Sequence, residues 1–238
     1  MLRVLWIKIT FLNIKIPNYL SWGTSYAKSK NIYGPYECAG KVGTGFSLNP
    51  LAHSSFFWWK GQFYHIWCRN VKLPFKFRES IISYCHFDDN GDVVTDTNFL
   101  EQHYANGVGQ YNASWSKIEA EWYYEIYGNI QKKGNQKDGF VLSNIKDGNW
   151  IRFANVTFDK SLKKFISRVS LTGQGGILEI RINTSKGDLL GKVKLTSNTS
   201  FEDVSCQLKE FMGKKDVFLV FKGSKGSTMQ LDWLKFQE

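Results

Sequence analysis

Proline is scarce in this 238-residue chain, with 4 residues against 21 glycines, so its turns fall to glycine. No run of about 18 apolar residues occurs, which excludes a membrane-spanning helix and leaves no reason to expect a membrane partner. Cysteine is present only at positions 38, 68, 85 and 206, with no C-x-x-C pair, which argues against a zinc ribbon or a thioredoxin-like site. Free buried thiols are expected for Cys68 and Cys85, with a bridge between neighbouring strands as the alternative. Neither G-x-G-x-x-G nor G-x-x-x-x-G-K occurs, so no phosphate-cradling nucleotide loop is expected. The GGILEI run at 175–180 reads as a turn entering a strand.

Aromatic residues are plentiful: 16% of the chain, with 9 Trp, 11 Tyr and 18 Phe. With so many glycines, this composition predicts an all-β protein with tight turns and flat aromatic surfaces. The net charge of +10 is spread out. Residues 1–110 carry 11 basic and 7 acidic side chains, and residues 111–238 carry 20 and 14. The densest basic groups are the pairs Lys132-Lys133, Lys163-Lys164 and Lys214-Lys215, each beside turn-forming residues. They read as solvated turn lysines, and no nucleic-acid motif accompanies them. Sequons at Asn112, Asn155, Asn183 and Asn198 are no more than chance supplies at this length. The N-terminal MLRVLWIKITFLNIKIPNYL is interrupted by Lys8 and Lys15 and has no small-residue cleavage site, so it makes a poor signal peptide and leaves localisation open.

Two hairpins are legible early. FFWWKGQFYHIWC is two aromatic runs about Lys60-Gly61, and IISYCHFDDNGDVVTD is two runs about Asn90-Gly91. They predict an antiparallel meander with no helix to cover it. ANGVGQYNASW (residues 105–115) lacks periodicity and marks a boundary. Beyond it, strands are expected at 150–153, 165–171, 177–182, 189–195, 217–221 and 229–236. Leu178, Ile180 and Ile182 should point in, with Glu179 and Arg181 pointing out. The regular spacing predicts a β-sandwich. The expected division is 1–107, a linker at 108–115, and 116–238. Trp150 and Trp233, inside strands, are expected in the core. Phe140, Trp122, Tyr123 and Tyr124 are read as packing residues before binding ones.

Five blocks in the second part carry a resemblance: KIEAEWY (117–123), GNWIRFANVTF (148–158), GGILEIRINTSKGDLLGKV (175–193), DVFLVFKG (216–223) and LDWLKF (231–236). In order and spacing they resemble the family 6 carbohydrate-binding modules. That resemblance implies a jelly-roll β-sandwich that binds polysaccharide and carries a structural calcium. The implied calcium ligands fall on Glu119, Glu121 and Asp232, completed by main-chain oxygens, in keeping with the six to eight oxygens calcium takes. The implied sugar-binding positions fall on Asn144, Phe201 and Gln230. All three depart from the family's usual residues, an aromatic, a Trp and an Asn.

The first part also carries a resemblance. NYLSWGTSYAKSKNIYGPYE (18–37), AHSSFFWWKGQFYHIWC (52–68) and FRESIISYCHFDDNGDV (77–93) resemble the end of the five-bladed β-propeller of family 43 glycoside hydrolases. The expected architecture is therefore a partial propeller followed by a β-sandwich jelly roll. The resemblance places His53 near a propeller axis, holding a metal ion or water, and makes Arg78 a candidate to face substrate. His65, His86 and His103 show no metal spacing. Inverting hydrolysis needs an acid and a base about 6.5–9.5 Å apart. The family supplies both from its first four blades. The carboxylates here before the boundary are Glu37, Glu79, Asp88, Asp89, Asp92, Asp96 and Glu101, and no acid–base pair is expected among them. The chain thus reads as the C-terminal part of a plant-polysaccharide hydrolase (arabinofuranosidase- or xylosidase-like), catalytically incompetent by itself, monomeric, and binding poly- or oligosaccharide. A different class of function stays open: a non-catalytic interaction protein using a basic, aromatic surface on a protein or polyanion.

Overall fold

The computed structural model describes residues 24–42, 50–73, 76–103 and 109–238. It is nearly all β, and it divides into two compact units. One comprises the described residues up to Phe57 with Phe63–Glu101; the other comprises Trp58–Gln62 with Gln102–Glu238.

In the first unit, β1 (Thr24–Lys28) pairs antiparallel with β2 (Glu37–Val42). A four-stranded antiparallel sheet follows, in the order β3 (Pro50–Trp59), β4 (Gln62–Leu73), β5 (Lys76–Phe87) and β6 (Val93–Thr95). This meander is the propeller blade that the sequence predicts. The β3–β4 turn has positive φ at both Lys60 (52°) and Gly61 (81°), the two-residue turn whose twist suits a hairpin. Asn90-Gly91 behaves differently, with positive φ at Gly91 alone. The Asp88 carboxylate accepts from the Asn90 and Asp92 amides at 2.9 and 2.7 Å, drawing the connection into a wider loop.

The blade does have a helix, contrary to expectation. Asp96 caps α1 (Thr97–His103), its carboxylate accepting from the Phe99 amide at 2.8 Å. Phe99 stacks on Tyr84 at 3.8 Å, and Leu100 packs with Trp67 and Ile81. The short period of this helix, with only two apolar residues facing the sheet, is why periodicity did not reveal it. A second cluster gathers Tyr26, Val42, Phe63, Cys85 and Val93. All four cysteines are free; Cys68 lies opposite Ser80 and Cys85 opposite Thr95.

The second unit is a sandwich of two mixed-order sheets. The elements are β7 (Tyr111–Asn112), β8 (Ile118–Glu119), a 3-10 turn (Ala120–Trp122), β9 (Glu125–Tyr127), β10 (Gln131–Asn135), β11 (Gly139–Ile145), β12 (Trp150–Phe158), β13 (Lys164–Thr172), β14 (Gly176–Ile182), β15 (Leu189–Leu195), β16 (Asn198–Gln207), β17 (Gly213–Gly223) and β18 (Thr228–Gln237). One sheet runs β10-β11-β18-β13-β16 with β8 beside β18. The other runs β15-β14-β17-β12-β7 with β9 beside β12. The alternation expected of β14 is observed, with Leu178, Ile180 and Ile182 buried and Glu179 and Arg181 part-exposed. Phe153, Phe165, Phe221, Leu142 and Leu178 are among the largest fully buried side chains. Phe158 of one sheet meets Phe236 of the other edge-to-face at 5.0 Å, which closes the sandwich around an aromatic core.

Candidate functional site

The outer face of the β9–β12–β17 region is built by strand alternation in WIRF. Ile151 and Phe153 are buried, so Trp150 and Arg152 must face outward. Pairing sets their neighbours. Trp150 lies opposite Tyr127 on β9 and Val220 on β17, and Arg152 lies opposite Glu125 and Phe218. The Trp150 ring stacks on Tyr127 with centroids 5.7 Å apart and planes 11° apart, and Phe218 meets it edge-on at 5.3 Å. Tyr127 is 60% exposed. Trp150 is therefore a surface platform residue, and the expectation that it belongs to the core is corrected. Its neighbours Ile151 and Phe153 take the inward positions instead. Gly128, after Tyr127, makes the turn possible: its φ is 106°, and a Cβ there would fall 2.3 Å from the Asn149 amide nitrogen.

Beside the aromatic row runs a charged one. Arg152 donates to Glu125 at 2.6 Å and to Asp216 at 2.7 Å, and its guanidinium lies over the rings of Tyr124 (5.1 Å) and Phe218 (5.8 Å). Burial works to lower the Arg152 pKa, but Glu125 and Asp216 outweigh it and hold it above its ordinary value. Asp216 also accepts from the Asn155 amide at 2.8 Å. That bond pins a bulge in β12, where Asn155 takes a positive φ of 51°. The platform is thus held from below, with one flat aromatic face and a row of paired charges along its side, in which, among the described residues, only the buried Arg152 Nε has no hydrogen-bond partner. Such a surface suits a sugar ring, which offers CH groups to an aromatic face and hydroxyls to the rim.

The residues singled out in the sequence fall elsewhere. Asn144 occupies a bulge in β11 with a φ of 59°, a conformation Asn tolerates, and its amide donates to the Asn129 carbonyl at 2.6 Å. Gln230 stands beside it on β18, opposite Ser170 of β13, and the half-buried Phe201 lies at the β13–β16 bulge one strand further. The three candidates therefore form a row across one end of the other sheet. Trp233, expected in the core, is half-buried on that same sheet with the Lys235 ammonium 5.3 Å from its ring. A register irregularity at Arg168/Val169 shifts it outward. Trp122, Tyr123 and Phe140 are buried. His53 and Arg78 belong to β3 and β5, but their side chains lie outside the described residues.

For calcium, the donor chemistry suits a hard cation, since all three candidates are carboxylates. Pairing puts Glu119 opposite Trp233 and so one residue from Asp232. Lys117 holds Glu119 at 2.5 Å, Arg168 lies 3.5 Å from Asp232, and Glu121 is buried in the 3-10 turn. Burial pushes the Asp232 carboxyl up, partly offset by Lys117 and Arg168. Among the described residues no three His, Cys, Asp or Glu side chains converge on a metal position.

Comparison with known proteins decides the family. The sequence profile of the carbohydrate binding module (family 6) matches residues 119–238. The chain belongs to that family. It is 33% identical to the family 6 module of Clostridium cellulolyticum solved in complex with xylose, over 53% of this chain and 99% of that one, with a TM-score of 0.50. An endo-1,4-beta-xylanase A of Thermoclostridium stercorarium is 30% identical over 135 residues, 55% of this chain; the match spans 20% of that enzyme's length. A family 43 arabinoxylan arabinofuranohydrolase of Bacillus subtilis, solved with cellotetraose, matches in fold over 91% of this chain and 47% of its own, with 21% identity and a TM-score of 0.51. That likeness in fold extends over both units of this chain.

The platform was the feature that sequence reading missed. Its signal was present in the parity of WIRF, where Trp150 and Ile151 cannot both be inside.

Proposed function

We propose that the chain binds neutral plant cell-wall polysaccharide through its family 6 module, and that the Tyr127–Trp150 platform is the contact surface. The observation that carries this is the stacked Tyr127–Trp150 pair, with Tyr127 exposed and Trp150 half-buried, on the outer face of the sandwich. Support for the ligand class comes from the xylose complex of the related module and from the xylanase relative. The row Asn144, Gln230 and Phe201 is the secondary candidate surface, with Phe201 as its one aromatic face.

The first unit we read as part of a hydrolase acting on arabinofuranosyl or xylosyl linkages, a reading supported by the likeness in fold to the arabinofuranohydrolase. Three of the described carboxylates here serve structure. Asp92 takes Lys28 at 2.6 Å and the Tyr26 hydroxyl at 2.7 Å, Asp96 caps α1 and pairs with His86 at 3.0 Å, and Asp88 closes its loop. None is proposed as a catalytic acid or base. A structural calcium on Glu119, Glu121 and Asp232 completes the reading; it requires these side chains, which do not converge as they stand, to gather with Glu119 leaving Lys117.

The test is calorimetric titration of the full chain with xylo-, arabino- and cello-oligosaccharides at low and high salt. Binding that survives salt and is lost in Trp150→Ala supports the platform. Binding lost in Phe201→Ala with Trp150→Ala unaffected moves the site to the other sheet. Retention of a polyanion that salt abolishes, with no sugar binding, overturns the reading in favour of a charge-driven partner.

A further inference from the structure

β9 is three residues long, and Tyr127 is its last. On one side it pairs with β12, which sets Tyr127 opposite Trp150 and Ile126 opposite Ile151. On the other side it meets a segment distant in sequence. Trp58–Gln62, the turn between β3 and β4, belongs to the same compact unit as the sandwich. The Ile126 amide donates to the Lys60 carbonyl at 3.3 Å, so β9 is bonded on both sides. Lys60 Nζ lies 3.2 Å from the Glu125 carboxylate oxygen that Arg152 also uses. Gly61 permits the close approach, because with φ at 81° a Cβ there would lie 2.6 Å from Ile126 Cγ1.

Gln62 anchors the segment. Its side chain is fully buried. The amide nitrogen donates to the Glu121 and Tyr123 carbonyls at 3.0 and 2.8 Å, and the amide oxygen accepts from the Lys132 ammonium. The Tyr123 hydroxyl donates to the Gly61 carbonyl at 2.7 Å. Glu121 and Tyr123 lie in the run that leads into β9, and Lys132 lies on β10, the strand that follows it. An apolar side chain of similar size would fill the same space but withdraw both donors from the carbonyls. The segment thus grips β9 through backbone, charge and side-chain amide together. It stands outside residues 119–238, the part that the family 6 profile matches.

We propose that Trp58–Gln62 is a positioning strap for the sugar-binding platform: it holds β9 in register, and with it the Tyr127 ring against Trp150, with Gln62 as the positioning residue. A slip of β9 by one residue would turn Tyr127 to the opposite face of the sheet. The platform for a neutral glycan then depends on a segment that a module cut at the family boundary would lack. This rests on the platform reading above.

The experiment uses the full chain and xylohexaose, by titration calorimetry. Gln62→Leu withdraws the anchor, and Lys60→Met removes only the grip on Glu125. Each is made alone and in a Tyr127→Ala background, which keeps Trp150 as a binding face. Far-ultraviolet dichroism checks that each variant is folded. Gln62→Leu should weaken binding about tenfold and Lys60→Met about threefold, and neither should weaken the Tyr127→Ala protein further. A strap that only stabilises the fold would weaken binding equally in both backgrounds, and that result overturns the positioning role. Normal binding by Gln62→Leu and Lys60→Met, with Tyr127→Ala defective, overturns the strap and leaves the platform standing. Normal binding by both Tyr127→Ala and Trp150→Ala overturns the platform itself, and the strap's role with it. If Gln62→Leu does not fold, the same comparison with Lys60→Met decides.

Discussion

His65 should make the first unit acid-labile, and the size of the effect follows from its surroundings. The ring is 1% exposed, stacked between Phe56 (4.4 Å) and Trp67 (4.3 Å), with Nδ1 3.1 Å from the Thr95 hydroxyl. Burial lowers its pKa to about 3. In the unfolded chain the ordinary value is about 6.5. Between these values the unfolded state binds a proton that the folded state refuses. Stability is therefore complete above about pH 6.5 and falls as pH drops toward 3. With those two values the loss is about 2 kcal/mol at pH 5, growing by roughly 1.4 kcal/mol for each further pH unit. The perturbation is His65→Phe, which keeps a flat ring between Phe56 and Trp67 and removes the titration. At pH 8 the variant should be less stable by about 1 kcal/mol, because the Thr95 hydroxyl loses its partner. Below about pH 6 the order should reverse. Hydrogen exchange of peptides from β4 and β5, measured from pH 8 down to 4.5 and corrected for intrinsic rates, reads local stability in this unit directly. Comparing the two proteins cancels the other titrating groups. A stability difference that stays constant across that range refutes the reasoning.

Two further outcomes are expected. Asp216→Ala removes the partner of Arg152 and of the Asn155 amide together. It should cost about 2–3 kcal/mol and lower the melting temperature of the sandwich by roughly 5–10 °C, with Asp216→Asn intermediate; a melt unchanged by both substitutions contradicts the anchoring role. Calcium at about a hundred times its dissociation constant should stabilise the sandwich by about 2.7 kcal/mol relative to chelator, and Asp232→Asn should abolish the gain; calcium without effect on the melt removes the proposed metal.

What could be read in advance was whatever one strand's own pattern decides. β15 was expected at Leu189–Leu195 and occupies those residues, and β14 alternates as its residues dictate. The hairpin about Lys60-Gly61 was legible because its turn needs two positive φ values. The helix α1 was not, because it is held by a cap and by Phe99 and Leu100 packing on residues distant in sequence. The site fared likewise. Trp150 was read as core because tryptophans in strands are usually buried, and the deciding fact lay in its cross-strand partners. Tyr127 is 23 residues away, Phe218 is 68 away, and no local pattern joins them.

The chain's net charge of +10 invites a polyanion as partner, yet the platform answers otherwise. Arg152 and Lys60, the cations at the aromatic row, are each paired with a carboxylate at 2.6 and 3.2 Å. A cation already paired offers little to an incoming anion, which would have to displace a fixed carboxylate. What remains open on this face is aromatic area, whose contribution to binding does not depend on ionic strength. The lysines expected in solvated turns lie largely in strands instead, Lys132 and Lys133 in β10, Lys164 in β13 and Lys214 and Lys215 in β17, and others form surface pairs, such as Lys163 with Glu210 at 3.6 Å, both well exposed. Overall basicity and local neutrality thus coexist because they belong to different surfaces: the scattered lysines meet water, and the stacked rings form the surface proposed for an uncharged ligand.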